Sequence, residues 1–443
     1  MRIQLSDHFT YPKLLRFVLP SITMMIFTSI YGVVDGLFVS NYVGTTAFAA
    51  INLIIPYLMI LGAVGFMFGT GGSAIVAKTL GEGDNDKANA YFSMIIFTAI
   101  LLSILLTFIG FFTIRPLSIL LGADESMLKI CTLYGSILLC SLTGYILLNV
   151  FQSFLVTAEK PKLGLTITVL AGVANMVLDF LLIAVFKWGI VGAAVATAIS
   201  QSIGGFLPLI YFIKKNDSLL QIQKTKFYRK ILLKTCTNGS SEFMSNLSLS
   251  LVSILYNFQL MRFAGQNGIA AYGVIMYVYY IFAALFLGFS IGSAPVFGYH
   301  YGAGNKAELK NLFQKSLVLI TIWNVLLTVI SIAFSKPLSG IFVGYDKELL
   351  ALTSRGFTLY SLSFLFAGFN IFVSSLFTSL NNGVISATLS FVRTLVFQVL
   401  ALYILPLLFG IDGIWLAIVV AEFLSVLLAA FLVWKKRKTY QYF

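Results

Sequence analysis

The sequence predicts an all-α polytopic membrane protein: twelve transmembrane helices forming two parallel six-helix repeats, an N-lobe and a C-lobe, around a central cavity. Three observations lead there. The 443-residue chain is 59% hydrophobic and only 10% charged, with a mean hydropathy of +0.95, which lies outside the make-up of soluble domains. Apolar runs of spanning length, about 20 residues or more, recur twelve times. The second half also repeats small residues and turns of the first at a constant offset.

In chain order the runs of the first half fall at 14–39, 48–77, 91–114, 128–157, 163–186 and 189–213. The first is long enough to span and no small-residue cleavage site precedes Asp35, so it is expected to stay in the membrane rather than be removed as a signal. The second holds Gly69-Thr70-Gly71-Gly72-Ser73. That segment lacks the P-loop spacing and reads as a surface for close helix packing or bending. The fifth carries Gly172 to Phe180 with Asn175 and Asp179, and the sixth opens on Gly189 and Gly192. The longest polar stretch, 214–234, follows with seven basic residues. It reads as a cytoplasmic connection, giving an N-lobe at 1–213, a linker at 214–230 and a C-lobe at 231–443. The second-half runs fall at 231–262, 269–299, 312–334, 350–378, 385–409 and 411–434, and the eighth is dense in Tyr272, Tyr277, Tyr279, Tyr280 and Phe282.

The repeat has an offset of 221 residues: Gly44 matches Gly265, Gly81 and Gly83 match Gly302 and Gly304, Pro116 matches Pro337, and Gly189 and Gly192 match Gly410 and Gly413. A series at one offset along nearly a whole half indicates a duplicated six-helix unit. Six is even, so both units enter the membrane in the same sense and are related by an axis along its normal.

The net charge of +13 does not indicate nucleic acid, because the basic residues sit beside and between apolar runs. With the N-terminus inside, 21 of the 29 Lys and Arg lie on the inner side, so both termini are expected to be cytoplasmic. Cys131, Cys140 and Cys236 lack metal-ligand spacing, and His8 and His300 stand far apart. No disulfide framework, zinc or haem site, cofactor or clustered catalytic constellation is expected, and the chain does not read as an enzyme.

Function is read from polar residues inside apolar runs. A carboxylate at the bilayer centre costs about 3 kcal/mol on insertion scales, so it is expected to face a wet cavity or the bundle interior and to bind something. Asp35 stands alone in the first run, and Asn175 and Asp179 lie one helical turn apart on one face of the fifth. Together they offer the oxygens a hard monovalent cation takes, or carboxylates that take protons. Thr197 adds a hydroxyl from the sixth run. The 221-residue offset carries Asp35 to Tyr256, Asn175 to Val396 and Asp179 to Leu400, so ion binding is assigned to the first half. Glu242, Tyr256 and Arg393 are further substrate or coupling candidates, with an Arg393–Glu422 ion pair as the structural alternative. Tyr277, Tyr280 and Met276 provide surface suited to flat organic cations.

These residues resemble the multidrug and toxic compound extrusion (MATE) transporters, and among them the MepA-like bacterial branch. The resemblance rests on twelve helices in two lobes, Pro20 and Asp35 in helix 1, Gly81-Glu82-Gly83-Asp84 with its echo Gly302-Ala303-Gly304-Asn305, the Asn175 and Asp179 pair, and Gly189 to Thr197. It implies an N-lobe cation site made by Asp35, Asn175 and Asp179, able to take Na+, with Thr197 and Tyr134 beside it. Some members also pair a helix 7 glutamate with a helix 10 aspartate. Here Glu242 matches the first, but 350–378 contains no acid. The reading is therefore an antiporter of a bacterial inner membrane, working as a monomer among membrane lipids. It would export organic, cationic and hydrophobic drugs against Na+ or H+. A flippase for lipid-linked or other amphipathic metabolites shares the architecture, but would be expected to line its cavity with several cations. Only Arg393, with Arg262 or Arg355, lies near membrane depth.

Overall fold

Backbone with no water to bond must satisfy itself, so membrane-spanning segments become helices. The computed structural model describes residues 3–43 and 45–442, so Gly44 lies outside the described residues. Among the described residues nine helices are long and apolar enough to cross a membrane, and two bent pairs add one span each. The 74-residue helix Arg229–Gly302 divides at Gly265, where φ is 59° and ψ is −146°. That makes twelve spans.

Span 1 is Tyr11–Tyr42, span 2 Thr45–Gly81 and span 3 Asn85–Leu120. Span 4 joins Glu125–Cys140 to Leu142–Thr157 through a 56° bend. Span 5 runs through Pro161–Asp179 into the π-helical turn Phe180–Val185, and span 6 is Gly189–Ile213. Spans 7 and 8 share Arg229–Gly302, and span 9 is Lys306–Ala333. Span 10 joins Lys347–Ser361 to Phe364–Ser379 through a 48° bend. Span 11 is Gly383–Phe391, the π turn Val392–Phe397 and Gln398–Phe409, and span 12 is Ile411–Tyr440.

The duplication is visible in local chemistry. Gly189 and Gly410 have φ of 57° and 58°, and Gly83 and Gly304 have φ of 84° and 66°. These matched turns need a left-handed residue, which glycine supplies without a Cβ penalty. Asp84 and Asn305, also one offset apart, both cap the following helix by accepting from the backbone N–H three residues on.

The lobes meet tightly at the end that carries both termini. A Cβ on Gly239 of span 7 would stand 1.9 Å from the Met67 carbonyl oxygen of span 2, and one on Gly71 would stand 2.2 Å from the Thr235 oxygen. Gly81 and Gly302 make a reciprocal contact between spans 2 and 8, each with a Cβ position 2.0 Å from a carbonyl of the other helix. Small residues allow this backbone approach. The N-terminal segment straps the same end. The N–H of Leu5 donates to Glu159 Oε1 at 2.8 Å and that of Phe9 to Glu308 Oε1 at 2.8 Å, so one strand of chain grips an acid of each lobe. Leu5 and Phe9 are fully buried. The linker lies on the N-lobe, where the N–H of Gln221 donates to Asn89 and that of Gln223 to Ser93. Lys160 meets Asp217 at 2.5 Å and, with Tyr211, holds that carboxyl below the usual carboxylate range.

Candidate functional site

Gly172 sets the N-lobe site. A Cβ there would stand 2.5 Å from the Phe27 ring and 2.8 Å from that of Tyr31, so span 1 lies close on span 5. Asp35, one turn beyond Tyr31, then reaches Asp179, one turn beyond Asn175. The two carboxyl groups act directly on one another. Asp179 and Asn175 are 0% and 1% exposed, and Asp179 ends the α-helical part of span 5 where the π turn begins. Such turns recur at functional sites.

Tyr134 of span 4 is buried in the same place. It feels both acids and approaches Thr197 of span 6. All five predicted N-lobe residues are thus brought together from four spans. Both oxygens of Asp179, one of Asp35, both polar atoms of the Asn175 amide and the Thr197 hydroxyl have no hydrogen-bond partner among the described residues. Buried polar atoms are rarely orphaned, and two adjacent carboxylates without a donor repel. A cation or a shared proton relieves both defects. The donors are all oxygens, with two carboxylates, an amide and a hydroxyl, so the residues fit a hard monovalent cation.

A second polar region lies between the lobes. A cavity of about 200 Å³ is bounded by both of them, including Met25, Phe66, Asn149, Glu242, Tyr280 and Arg393. Arg393 is turned toward Glu422 of span 12, with Nη2 to Oε1 at 2.7 Å and Nε to Oε1 at 2.9 Å. Asn370 of span 10 donates to the other oxygen at 2.6 Å. Glu422 is 4% exposed and fully engaged. The Glu242 carboxylate makes no salt bridge and no side-chain hydrogen bond among the described residues, although it lies within electrostatic reach of Arg393.

The other candidates separate. Tyr280 lines the cavity, whereas Met276 lines a small neighbouring pocket and accepts from the Tyr360 hydroxyl at 3.6 Å. Tyr256 is fully buried against Tyr272, with rings stacked at 4.9 Å. Tyr277 stacks on Phe342 at 6.0 Å. Neither borders the central cavity. Sequence reasoning missed Asn149, Gln152, Asn246 and the hydroxyls of Ser374, Thr378, Ser390 and Thr394, all of which line it. Their signal is polar residues at three- and four-residue spacing inside apolar runs, as in Glu242, Ser245 and Asn246.

The MatE family matches residues 20–181 and 243–404, one match in each lobe. The chain is 25% identical over 437 residues to the multidrug export protein MepA of Staphylococcus saprophyticus, covering 96% of this chain and 94% of that protein. It is 26% identical over 431 residues to MepA of Staphylococcus haemolyticus, with the same coverage. A crystal structure of MATE in complex with MaL6 superposes with a TM-score of 0.92 over 98% of both chains at 22% identity. With a family match in each repeat and full-length relatives of the same kind, the chain belongs to the MatE family of multi-pass membrane transporters.

Proposed function

We propose that this protein is a cation-coupled antiporter that exports organic, cationic and hydrophobic drugs by alternating access, in exchange for Na+ or H+. The observation that carries the reading is the pair Asp35 and Asp179: two adjacent carboxylates, one half-buried and one fully buried, with three oxygens that no donor meets among the described residues. Asn175, Thr197 and Tyr134 complete the site that loads the coupling ion. The relatives named multidrug export proteins support the cargo class. So does the cavity, where Arg393 is neutralised by Glu422 and the Glu242 side chain, without an ion pair among the described residues, shares the wall with Tyr280.

Coupling requires that the loaded cation favour one of the two access states. The glycine contacts and the N-terminal strap close the end bearing both termini. Lys and Arg crowd that end, so it is assigned to the cytoplasm of a bacterial inner membrane, with the cavity closed inward. Each positive charge moving inward then contributes about 2.3 kcal/mol per 100 mV. The N-lobe is 1–213, the linker 214–230 and the C-lobe 231–443, and one chain contains both halves of the pathway, so a monomer suffices. No catalytic step is needed. A flippase for lipid-linked metabolites is disfavoured, because Arg393 is the one cation lining the cavity among the described residues and it is already paired.

The test is efflux of a fluorescent cationic dye from proteoliposomes under an imposed sodium gradient and, separately, an imposed proton gradient, with Asp35→Asn beside wild type. Transport driven by one gradient and lost in the variant names the ion. Dye that moves under neither, or equally well in the variant, rejects the antiporter.

A further inference from the structure

At the end bearing the termini, the first turn of span 9 and the last turn of span 12 enclose a groove of about 710 Å³ lined by Lys306, Lys310, Arg437 and Lys438, with Ala307 and Gln441 completing it. No acid lines it, and none of the four cations forms an ion pair among the described residues. Glu308, the nearest acid in sequence, is turned away and occupied by His8, the Phe9 N–H and Asn311. Four like charges held together without a counter-ion are electrostatically costly, and an anion relieves that cost.

Arg437 is held in place. Its Nη1 donates to the Trp434 carbonyl at 3.0 Å and its guanidinium stacks on the Trp434 ring at 4.5 Å. The C-terminal hook fixes the turn beyond it, where Gln441 takes a left-handed conformation and the Tyr442 hydroxyl donates back to Val433. Further along both helices the exposed surface becomes apolar. On span 12 the exposed face runs from Trp434 through Phe431 to Leu427, which are 58%, 52% and 53% exposed. On span 9 the exposed positions pass from Lys306 and Lys310 through Gln314 to Val318 and Ile322, the last two 45% and 54% exposed. A cationic mouth with exposed apolar helix surface beyond it matches a headgroup with its acyl chains. It does not match a soluble anion, which has no use for that surface.

We propose that this groove is a binding site for an anionic phospholipid of the inner leaflet, and that its four positive charges select a headgroup bearing two phosphates over one bearing a single phosphate. This goes beyond the transport reading and does not depend on it. The test uses the full-length protein in detergent, with cardiolipin, phosphatidylglycerol and phosphatidylcholine as probes in native mass spectrometry and thermal melting. Wild type is expected to retain cardiolipin at least tenfold better than phosphatidylcholine, with phosphatidylglycerol between them. K306Q/K310Q/R437Q/K438Q is expected to lose that retention at least tenfold. K214Q/K215Q/K224Q/K226Q makes the same charge change on the linker and is expected to keep it. If the first variant does not fold, R437Q/K438Q is read in the same way. Equal loss in the groove and linker variants, or loss in neither, overturns the site. Competition by inorganic pyrophosphate at the lipid's own half-saturating concentration makes the groove a soluble-anion site and overturns the lipid assignment.

Discussion

Gly239→Ala is expected to pry open the end that carries the termini without unfolding the protein. The added Cβ would lie 1.9 Å from the Met67 carbonyl oxygen and 2.8 Å from its Cα, against the 3.4 Å at which ordinary contact begins. The obstacle is backbone on both sides, so no rotamer change relieves it and spans 2 and 7 must separate by more than 1 Å there. A gap of that size forfeits a quarter to a half of each local dispersion contact, and overpacking of this kind costs about 1–3 kcal/mol. The cost falls on the closed arrangement alone, so the open-to-closed ratio rises about 5- to 150-fold. Cys236, half-buried three residues away, reports it. In a Cys131→Ser/Cys140→Ser background, its alkylation rate is expected to rise by that factor and dye transport to fall with it. Gly340→Ala, where a Cβ meets nothing within 4 Å, is expected to change neither. Unchanged Cys236 reactivity and normal transport in Gly239→Ala would show that this contact does not gate access.

Three further outcomes are expected. Asp179→Asn removes a buried carboxylate that no donor meets among the described residues, so ion-driven transport should be abolished while the melting temperature in detergent stays level or rises. A fall of several degrees would indicate an unseen structural partner. Arg393→Ala strands the buried Glu422 carboxylate and should cost about 3–5 kcal/mol, whereas Arg393→Met/Glu422→Met should unfold close to wild type in a denaturant titration. Equal losses in the two would mean that the pair itself, and not the uncompensated charge, sets stability. Glu308→Gln weakens the grip on the Phe9 N–H and His8, and charge-assisted bonds of this kind contribute about 1.5–3 kcal/mol. Protease cleavage within residues 3–10 should become at least tenfold faster, and an unchanged rate would mean that the strap is held by Leu5 and Phe9 burial alone.

Much of the fold was legible because the membrane leaves so few choices. Spanning length gave twelve runs, and each is a helix, a bent pair or one arm of the 74-residue helix, with ends up to six residues beyond those predicted. The 221-residue offset was readable because the matched positions are those where the backbone has a demand, such as the left-handed turns at Gly189 and Gly410 and the helix caps at Asp84 and Asn305. That Asp35, Asn175 and Asp179 come together was readable because an acid in an apolar run has no cheap alternative. The rest was hidden for physical reasons. The serines and threonines of the cavity are common in any spanning helix, where they bond back to their own carbonyls, and only packing decides which face the gap. The strap was invisible because Leu5 and Phe9 carry no motif. Their role comes from two acids 149 residues apart, Glu159 and Glu308, meeting at one end of the bundle.

The offset also explains why two copies of one scaffold carry different charges. Arg393 occupies the position of Gly172, Glu422 that of Gln201, and Asn370 that of Asn149. In the N-lobe a glycine at that position lets span 1 press on span 5, which drives Asp35 against Asp179 and leaves their charge unanswered. In the C-lobe the same position holds a guanidinium that reaches Glu422, so that acid is answered from within. The C-lobe thus answers its buried acid from within, whereas the N-lobe acids have no cationic side chain paired with them among the described residues, and Glu242 faces the shared cavity. The division has a consequence for engineering. Arg393→Gly with Glu422→Gln would give the C-lobe the N-lobe's residues at these positions, yet it would not create a second cation site. The positions of Asn175 and Asp179 there are Val396 and Leu400, so ion stoichiometry should remain that of wild type while cargo preference shifts with the altered cavity wall.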